Sequence, residues 1–457
     1  MLKGSSRRAW IGALAAWLSI GAVASCGARS VLDAPEGDDT GGAGPGSGGA
    51  GPGGGGSGSV IISLSDQSVI ESEAHVATAP NGFVAVAWIS IPDSGPGGIG
   101  YTFSVNDGDA FQPVTVIQSP EGRDSSDPVL AADGAGNFWL TWVGFYRDPN
   151  TGEPFDMRIY VAKAAAGTTS FGDPVEASDP SEGSLADKPW ITITGQGSLL
   201  VTYGREGPGD LWGIVASRSS DGVNWKRAVL AEDPLQSNTF RNLAFPCAVP
   251  GTPRVYVVYV KLGAGQSIQL HRSDDDGASF PAPTEIQVNA PGEQVAFDGP
   301  SCVASGEDVW VSYGLSNVGG GSEESAVLFA VRLARSFDGG QSIGDRINAH
   351  DPGAAGFYLH PQLAMEESGA INLAYYAGNF DKDTGGSFRR GRSTDSGQSF
   401  GSSLQVGTPI VFLPDRGDPQ WLGDYTGLAW RAGSVYMAYT DNASGFAHVA
   451  FSRAAVP

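Results

Sequence analysis

Residues able to do chemistry recur in this chain at one fixed register. Glu73, Asp127, Lys188, Ala244, Asp298, His360 and Asp424 each stand 15 positions before an aromatic: Trp88, Trp142, Tyr203, Tyr259, Tyr313, Tyr375 and Tyr439 in turn. Six of the seven positions are ionisable, although only 17% of the chain is charged. Where the series lapses, at Ala244, Arg241 lies three residues upstream and stands in for it. Carboxylates, an amine and an imidazole converging in a concavity make a ligand site or a general acid–base site. The same groups also serve to cap strand ends, order waters or hold a passive cation. Other reactive sets are weak or missing. His75, His271, His350, His360 and His448 lack zinc-ligand spacing. No Gly-x-Ser-x-Gly elbow presents a serine nucleophile. Asp274-Asp-Asp276 and Asp381-Lys-Asp383 approach calcium chemistry without a complete loop. The expectation is no cofactor, with Ca²⁺ the one ion those acidic turns could meet.

A repeat must position this register. Each aromatic closes an alternating segment: Val84–Trp88, Phe138–Trp142, Leu199–Tyr203, Val255–Tyr259, Val309–Tyr313, Ile371–Tyr375 and Val435–Tyr439. Successive copies are 54, 61, 56, 54, 62 and 64 residues apart. Alternation at period two marks a strand, and a repeat of this length holds about four short strands, the content of a propeller blade. Composition agrees. The 457 residues include 67 Gly, 29 Pro, 11 Trp, 13 Tyr and 20 Phe, which suits short strands and tight turns rather than long helices.

A second mark follows each segment. Ser273-Asp-Asp275-Asp-Gly277-Ala-Ser-Phe280 is one copy; Ser336 to Ile343 and Ser393 to Phe400 are two more. Ser104 to Phe111 carries Asn106 in place of Asp, Ser219 to Trp225 is one residue shorter, and Lys163 to Phe171 is degenerate. Aspartate binding its own turn backbone, followed by a glycine suited to positive φ, reads as a hairpin turn. The last copy stops near Ser452 with no strand after it, and Val60–Leu64 at the other end supplies the missing one. Closing the ring in this way removes a free sheet edge. The fold class expected is all-β, a seven-bladed β-propeller over residues 60–457; a six-bladed ring is the alternative if one repeat is divergent. The short turns, at Gly82, Gly134, Gly195, Gly251, Gly306, Gly369 and Gly433 and at the second mark, share one face. Longer connections such as 144–156, 204–210, 314–324 and 377–387 lie on the other, where binding belongs.

The second mark resembles the Asp-box, or BNR, repeat of the sialidase superfamily, and the resemblance spans nearly the whole of 60–457. The stretch Asp424-Tyr425-Thr426-Gly-Leu428 is similar to the one around the catalytic tyrosine of that family. The resemblance implies Tyr425 as nucleophile, Glu73 as its base and Asp127 as general acid, with Lys188, Arg241, Asp298, His360 and Asp424 binding ligand. A tyrosine nucleophile is a known departure from two-carboxylate glycoside hydrolysis. The family also clamps a substrate carboxylate with three arginines and usually opens on Arg-Ile-Pro. That motif is absent, and Arg147, Arg205 and Arg389 fall on outer loops. A non-catalytic propeller binding glycan or protein is therefore the leading expectation, and an exo-sialidase or other glycoside hydrolase the alternative.

The N-terminus sets location. Lys3, Arg7 and Arg8 precede an apolar run from Ala9 to Ala24, then Val23-Ala24-Ser25-Cys26. This is the order of a secretory signal, and it resembles the lipobox of bacterial lipoproteins. That implies cleavage after residue 25, a lipidated Cys26, and, with Gly27 following, the outer membrane and cell surface. Residues 26–59 are mostly Gly, Ser, Pro and Ala, a flexible linker. The net charge of −22 excludes nucleic acid as a partner. A monomer is expected. Cys247 and Cys302, the remaining cysteines, lie on inner strands of neighbouring repeats, 12 and 11 residues before Tyr259 and Tyr313. Their opposite parity faces them across the gap between blades, which permits a disulfide in an oxidising compartment. Replacing Cys26 by Ala is expected to move the protein from the membrane to the soluble fraction on cell fractionation; unchanged membrane association would overturn the anchor.

Overall fold

The computed structural model describes residues 60–457 except 65–69, 93, 180, 182, 184, 264, 288–292, 318–326, 352–356, 379–384, 411–419 and 457. The signal segment, Cys26, the linker and Asp381–Asp383 lie outside the described residues. The described strands form seven antiparallel sheets, which are the blades of one β-propeller. Inner strands run Ile70–Thr78, Asp124–Ala132, Ala186–Ile193, Thr239–Ala248, Ser301–Ser305, Phe357–Met365 and Gly427–Arg431. Blade five carries one extra short strand, Gln294–Val295, ahead of its inner strand. Val60–Ser63 pairs with the last strand, His448–Ala455, as the outermost strand of blade seven. The ring is thus seven-bladed and closed by the first strand of the domain.

The alternating segments are second strands, and both of their faces are buried because each blade is sandwiched between two others. Trp88, Trp142, Tyr203, Tyr259, Tyr313, Tyr375 and Tyr439 are at most 2% exposed. Apolar clusters fill the gaps between adjacent blades: Ala85 and Tyr101 meet Leu140 and Trp142, and at the closure Val84 and Trp88 meet Tyr436 and Val449. Across blades four and five the structure joins Cys247 to Cys302, with Cα atoms 5.8 Å apart.

The box turns sit between third and fourth strands and pack onto the neighbouring blade. In each of five copies the serine hydroxyl donates to the Asp or Asn side chain and accepts from the glycine N–H. Ser393 Oγ, for example, lies 2.7 Å from Asp395 Oδ1 and 2.9 Å from Gly397 N. Asp395 also accepts from the N–H groups of Gln398 and Ser399. The Ser399 hydroxyl and these turn N–H groups favour its ionised form and hold its pKa down at about 2. Gly397 adopts φ +74°, and a Cβ there would lie 2.8 Å from Leu333 and 3.0 Å from Trp310 of blade five. Gly222 abuts Trp139 of blade two in the same way. The box therefore fastens blades together. Gly397→Ala is expected to destabilise the domain by about 1–3 kcal/mol through overpacking and the positive φ; an unchanged denaturation midpoint would contradict this.

Candidate functional site

The register noticed in the sequence is a row of β-bulges. The inner strand slips against the second strand between Ser72 and His75, Ser126 and Val129, Asp187 and Trp190, Asn242 and Phe245, and Leu359 and Gln362. The extra residue takes a left-handed conformation each time: Glu73 (φ 56°), Asp127 (56°), Lys188 (53°), Leu243 (58°) and His360 (56°). A bulge re-aims its side chain, here into the channel. Pro128, Pro189 and Pro361 follow three of these residues and suit a place where the ladder needs no donor. In blade five the inner strand is instead interrupted, with Asp298 just before it resumes, and in blade seven Asp424 stands just before the inner strand Gly427–Arg431 begins. Non-glycine residues held at positive φ cost free energy and cluster where function or a tight network demands them.

Lys188 occupies the centre. Its Nζ lies 2.5 Å from Asp127 Oδ1, 2.6 Å from Asp424 Oδ2 and 3.4 Å from Glu73 Oε1, so one ammonium ties blades one, two, three and seven. Ser126 Oγ donates to Asp127, and the Asp424 N–H donates to Glu73. Glu73 and Asp127 are fully buried, and Lys188 is 3% exposed. Burial alone would depress the Lys188 pKa; Asp127, Asp424 and Glu73 outweigh it and hold the amine well above its usual range. Burial pushes Glu73 well up, against the pull of Lys188 and with that of Asp127 and Asp424. Opposite, Asp298 accepts from the His360 N–H at 2.9 Å and pairs with His360 Nδ1 at 2.9 Å, joining blades five and six.

The register position Ala244 and the expected site residue Arg241 are both outside the ring. The bulge residue of blade four is Leu243, not Ala244, because the turn 249–254 has one residue more than the corresponding turn 79–83. Ala244 offers its carbonyl to Thr202 Oγ1. Arg241 stands outside the ring, with its guanidinium on Asp233. The sequence reading missed Asp187, the residue before Lys188. Burial, then the neighbouring Asp127, raises its pKa to about 7, and Asn242 Nδ2 donates to it at 3.3 Å. A polar residue before the bulge position in four blades (Ser72, Ser126, Asp187, Asn242) was the available signal.

Tyr425 is 3% exposed, packs edge-on against Trp190 and donates its hydroxyl to the Pro128 carbonyl at 3.1 Å. Burial, then Glu73, Asp127 and Asp424, pushes its pKa well above normal, the reverse of what an activated phenolate needs. Among the described residues, five arginines of the long-loop face are matched to acids: Arg123 and Arg158 to Asp156, Arg147 to Asp124, Arg205 to Glu232 and Arg241 to Asp233. Arg389 pairs with Asp351. Near them Tyr146 and Phe155 form a ring pair at 5.7 Å, with Arg123 stacked 4.1 Å from the Tyr146 centroid and Phe155 45% exposed. Among the described residues no cluster has the composition of a metal centre.

No protein-family model and no curated protein matches this chain. Solved structures do. A protein of unknown function from Dyadobacter fermentans is 16% identical, with a TM-score of 0.53 over 88% of this chain and 98% of its own. The endosialidase of phage phi92 is 10% identical, TM-score 0.53, over 87% of this chain and 69% of that one. The Hadza microbial sialidase Hz136 is 14% identical, TM-score 0.50, over 84% of this chain and 66% of that one. At such identities the likeness is one of fold, and the fold is a sialidase-like β-propeller.

Asp187 generates a pH prediction. A carboxyl whose folded pKa lies near 7 against an ordinary 3.8 binds more protons folded than unfolded between those values, so stability falls as pH rises through that window. Asp187→Asn is expected to flatten that fall, measured as denaturation midpoints at pH 5 and pH 7.5; an unchanged slope would refute the assignment.

Proposed function

We propose that this chain is a lipid-anchored, non-hydrolytic propeller that presents its long-loop face at the cell surface to bind glycan or protein. The observation that carries the reading is the commitment of the hydrolytic candidates to one another. Lys188 neutralises the acid and base candidates Asp127 and Glu73, and the Tyr425 hydroxyl is given to a backbone carbonyl. Arg123, Arg147, Arg205 and Arg241, the described arginines nearest to a clamp for a substrate carboxylate, are matched by acids of the same face. Charged groups already paired leave an aromatic surface to do the binding, and Tyr146 with Phe155 offers a face for a sugar ring or an apolar side chain. The similarity to sialidases supports the scaffold and, at these identities, leaves the chemistry to the site.

The test is a fluorogenic sialoside assay beside a glycan array on the purified protein. No turnover is expected, and the combined change Tyr146→Ala and Phe155→Ala should weaken array binding at least about ten-fold. Asp395→Ala, on the box face, should lower stability and leave binding intact. Turnover that disappears in Tyr425→Phe would overturn the reading in favour of hydrolysis.

A further inference from the structure

The central channel has a second compartment at its other end. Below the polar ring, a cavity of about 600 Å³ opens toward the box face, where the inner strands end at Thr78, Ala132 and Ser305 and Trp430 is the next-to-last residue of its strand. Its floor separates it from the ring. Trp190 lies there, 4.4 Å from Phe245, 5.3 Å from His75 and 5.2 Å from Tyr425 between ring centroids. Leu428, Leu363 and Met365 form the wall. Trp190, Phe245, Leu428 and Met365 are only half-buried, so apolar surface faces the cavity. The volume falls in the range of ordinary small-molecule sites, about 300–1,000 Å³.

Two polar side chains in the lining have no use elsewhere. His75 is 7% exposed, and its Nδ1 accepts the Leu130 N–H at 3.2 Å. In the neutral ring the proton then sits on Nε2, and Nε2 has no partner among the described residues. Burial holds the His75 pKa down at about 3, so the ring stays neutral. Gln362 is 3% exposed and lines the same cavity, and its amide also lacks a partner among the described residues. Both residues stand two positions after a ring residue, Glu73 and His360, as do Trp190 after Lys188 and Phe245 after Leu243. Charge is nearly absent. Glu366 is paired with Arg392 at 2.6 Å and 2.8 Å, which leaves exposed Glu367 at the mouth. At the floor, aromatic and aliphatic surface surrounds two unused hydrogen-bonding groups and no free charge, while the hydroxyls of Thr78, Thr192 and Ser305 stand at or next to the strand ends, toward the mouth.

We propose that this cavity binds a neutral, mostly apolar ring compound bearing a hydroxyl or carbonyl oxygen, with the ring against Trp190 and Phe245 and the oxygen between His75 Nε2 and the Gln362 amide. The site is independent of the long-loop face and of the function proposed there. At the aromatic floor a sugar would present more hydroxyls than His75 and Gln362 match, and an anion would meet Glu367 at the mouth.

The test is calorimetric titration of the detergent-solubilised full chain with 2-naphthol, 2-naphthoate and methyl β-galactopyranoside. Saturable binding of 2-naphthol is expected, at least about ten-fold tighter than that of either other probe. Gln362→Leu should weaken it about five-fold, the scale of one lost hydrogen bond. Leu428→Trp fills the cavity and should abolish it, with folding checked by the far-UV spectrum and by retained Gln362→Leu-like stability. No saturable binding, equal binding of the naphthoate, preference for the galactoside, or full affinity in folded Leu428→Trp would each overturn the proposal.

Discussion

One buried ammonium organises the centre of this molecule. Lys188 draws Asp127, Asp424 and Glu73 from three other blades onto a single nitrogen, and the inner strands must bulge to let it. A buried ion pair is worth little against an apolar replacement, yet removing one partner leaves uncompensated charge and is severe, about 3–5 kcal/mol. The ring therefore specifies geometry more than it adds stability. It fixes how blades one, two, three and seven converge, while Asp298 and His360 do the same for five and six. Most of the free energy comes from the apolar clusters between blades.

The polar ring also divides the channel. Toward the long loops lie charged groups satisfied by one another; toward the box turns lie aromatic surface and two polar groups that are not. Trp190 is the partition, touching Tyr425 on one side and Phe245 and His75 on the other. Tyr425, on the long-loop side of that partition, is buried against it with its hydroxyl on the Pro128 carbonyl. The left-handed residues Glu73, Asp127 and Lys188 carry their strain within the ion-pair network they build.

Much of this was legible in the sequence because it is periodic. Second-strand alternation, the box and the solitary opening strand each follow from local chemistry; together they favour a closed ring of seven over one of six, and the ring has seven blades. The ring residues were legible as a register only because most first-to-second turns have equal length. Where that length changes, at 249–254, counting back lands on Ala244 instead of Leu243. Pairing was not legible. That Lys188 would meet three acids, and that Arg241 would turn outward to Asp233, depends on how neighbouring sheets converge, and no single repeat encodes that. Asp187 escaped because a residue adjacent in sequence to a bulge is read as its opposite face, whereas here both are buried.

The closing strand has a directional consequence. Val60 pairs with Arg453, near the end of the last strand, and Arg453 reaches Asp107 and Asp109 of the first box turn. The chain therefore enters the ring at the box face. The point of entry thus lies on the side opposite the long loops, the same side onto which the aromatic cavity opens.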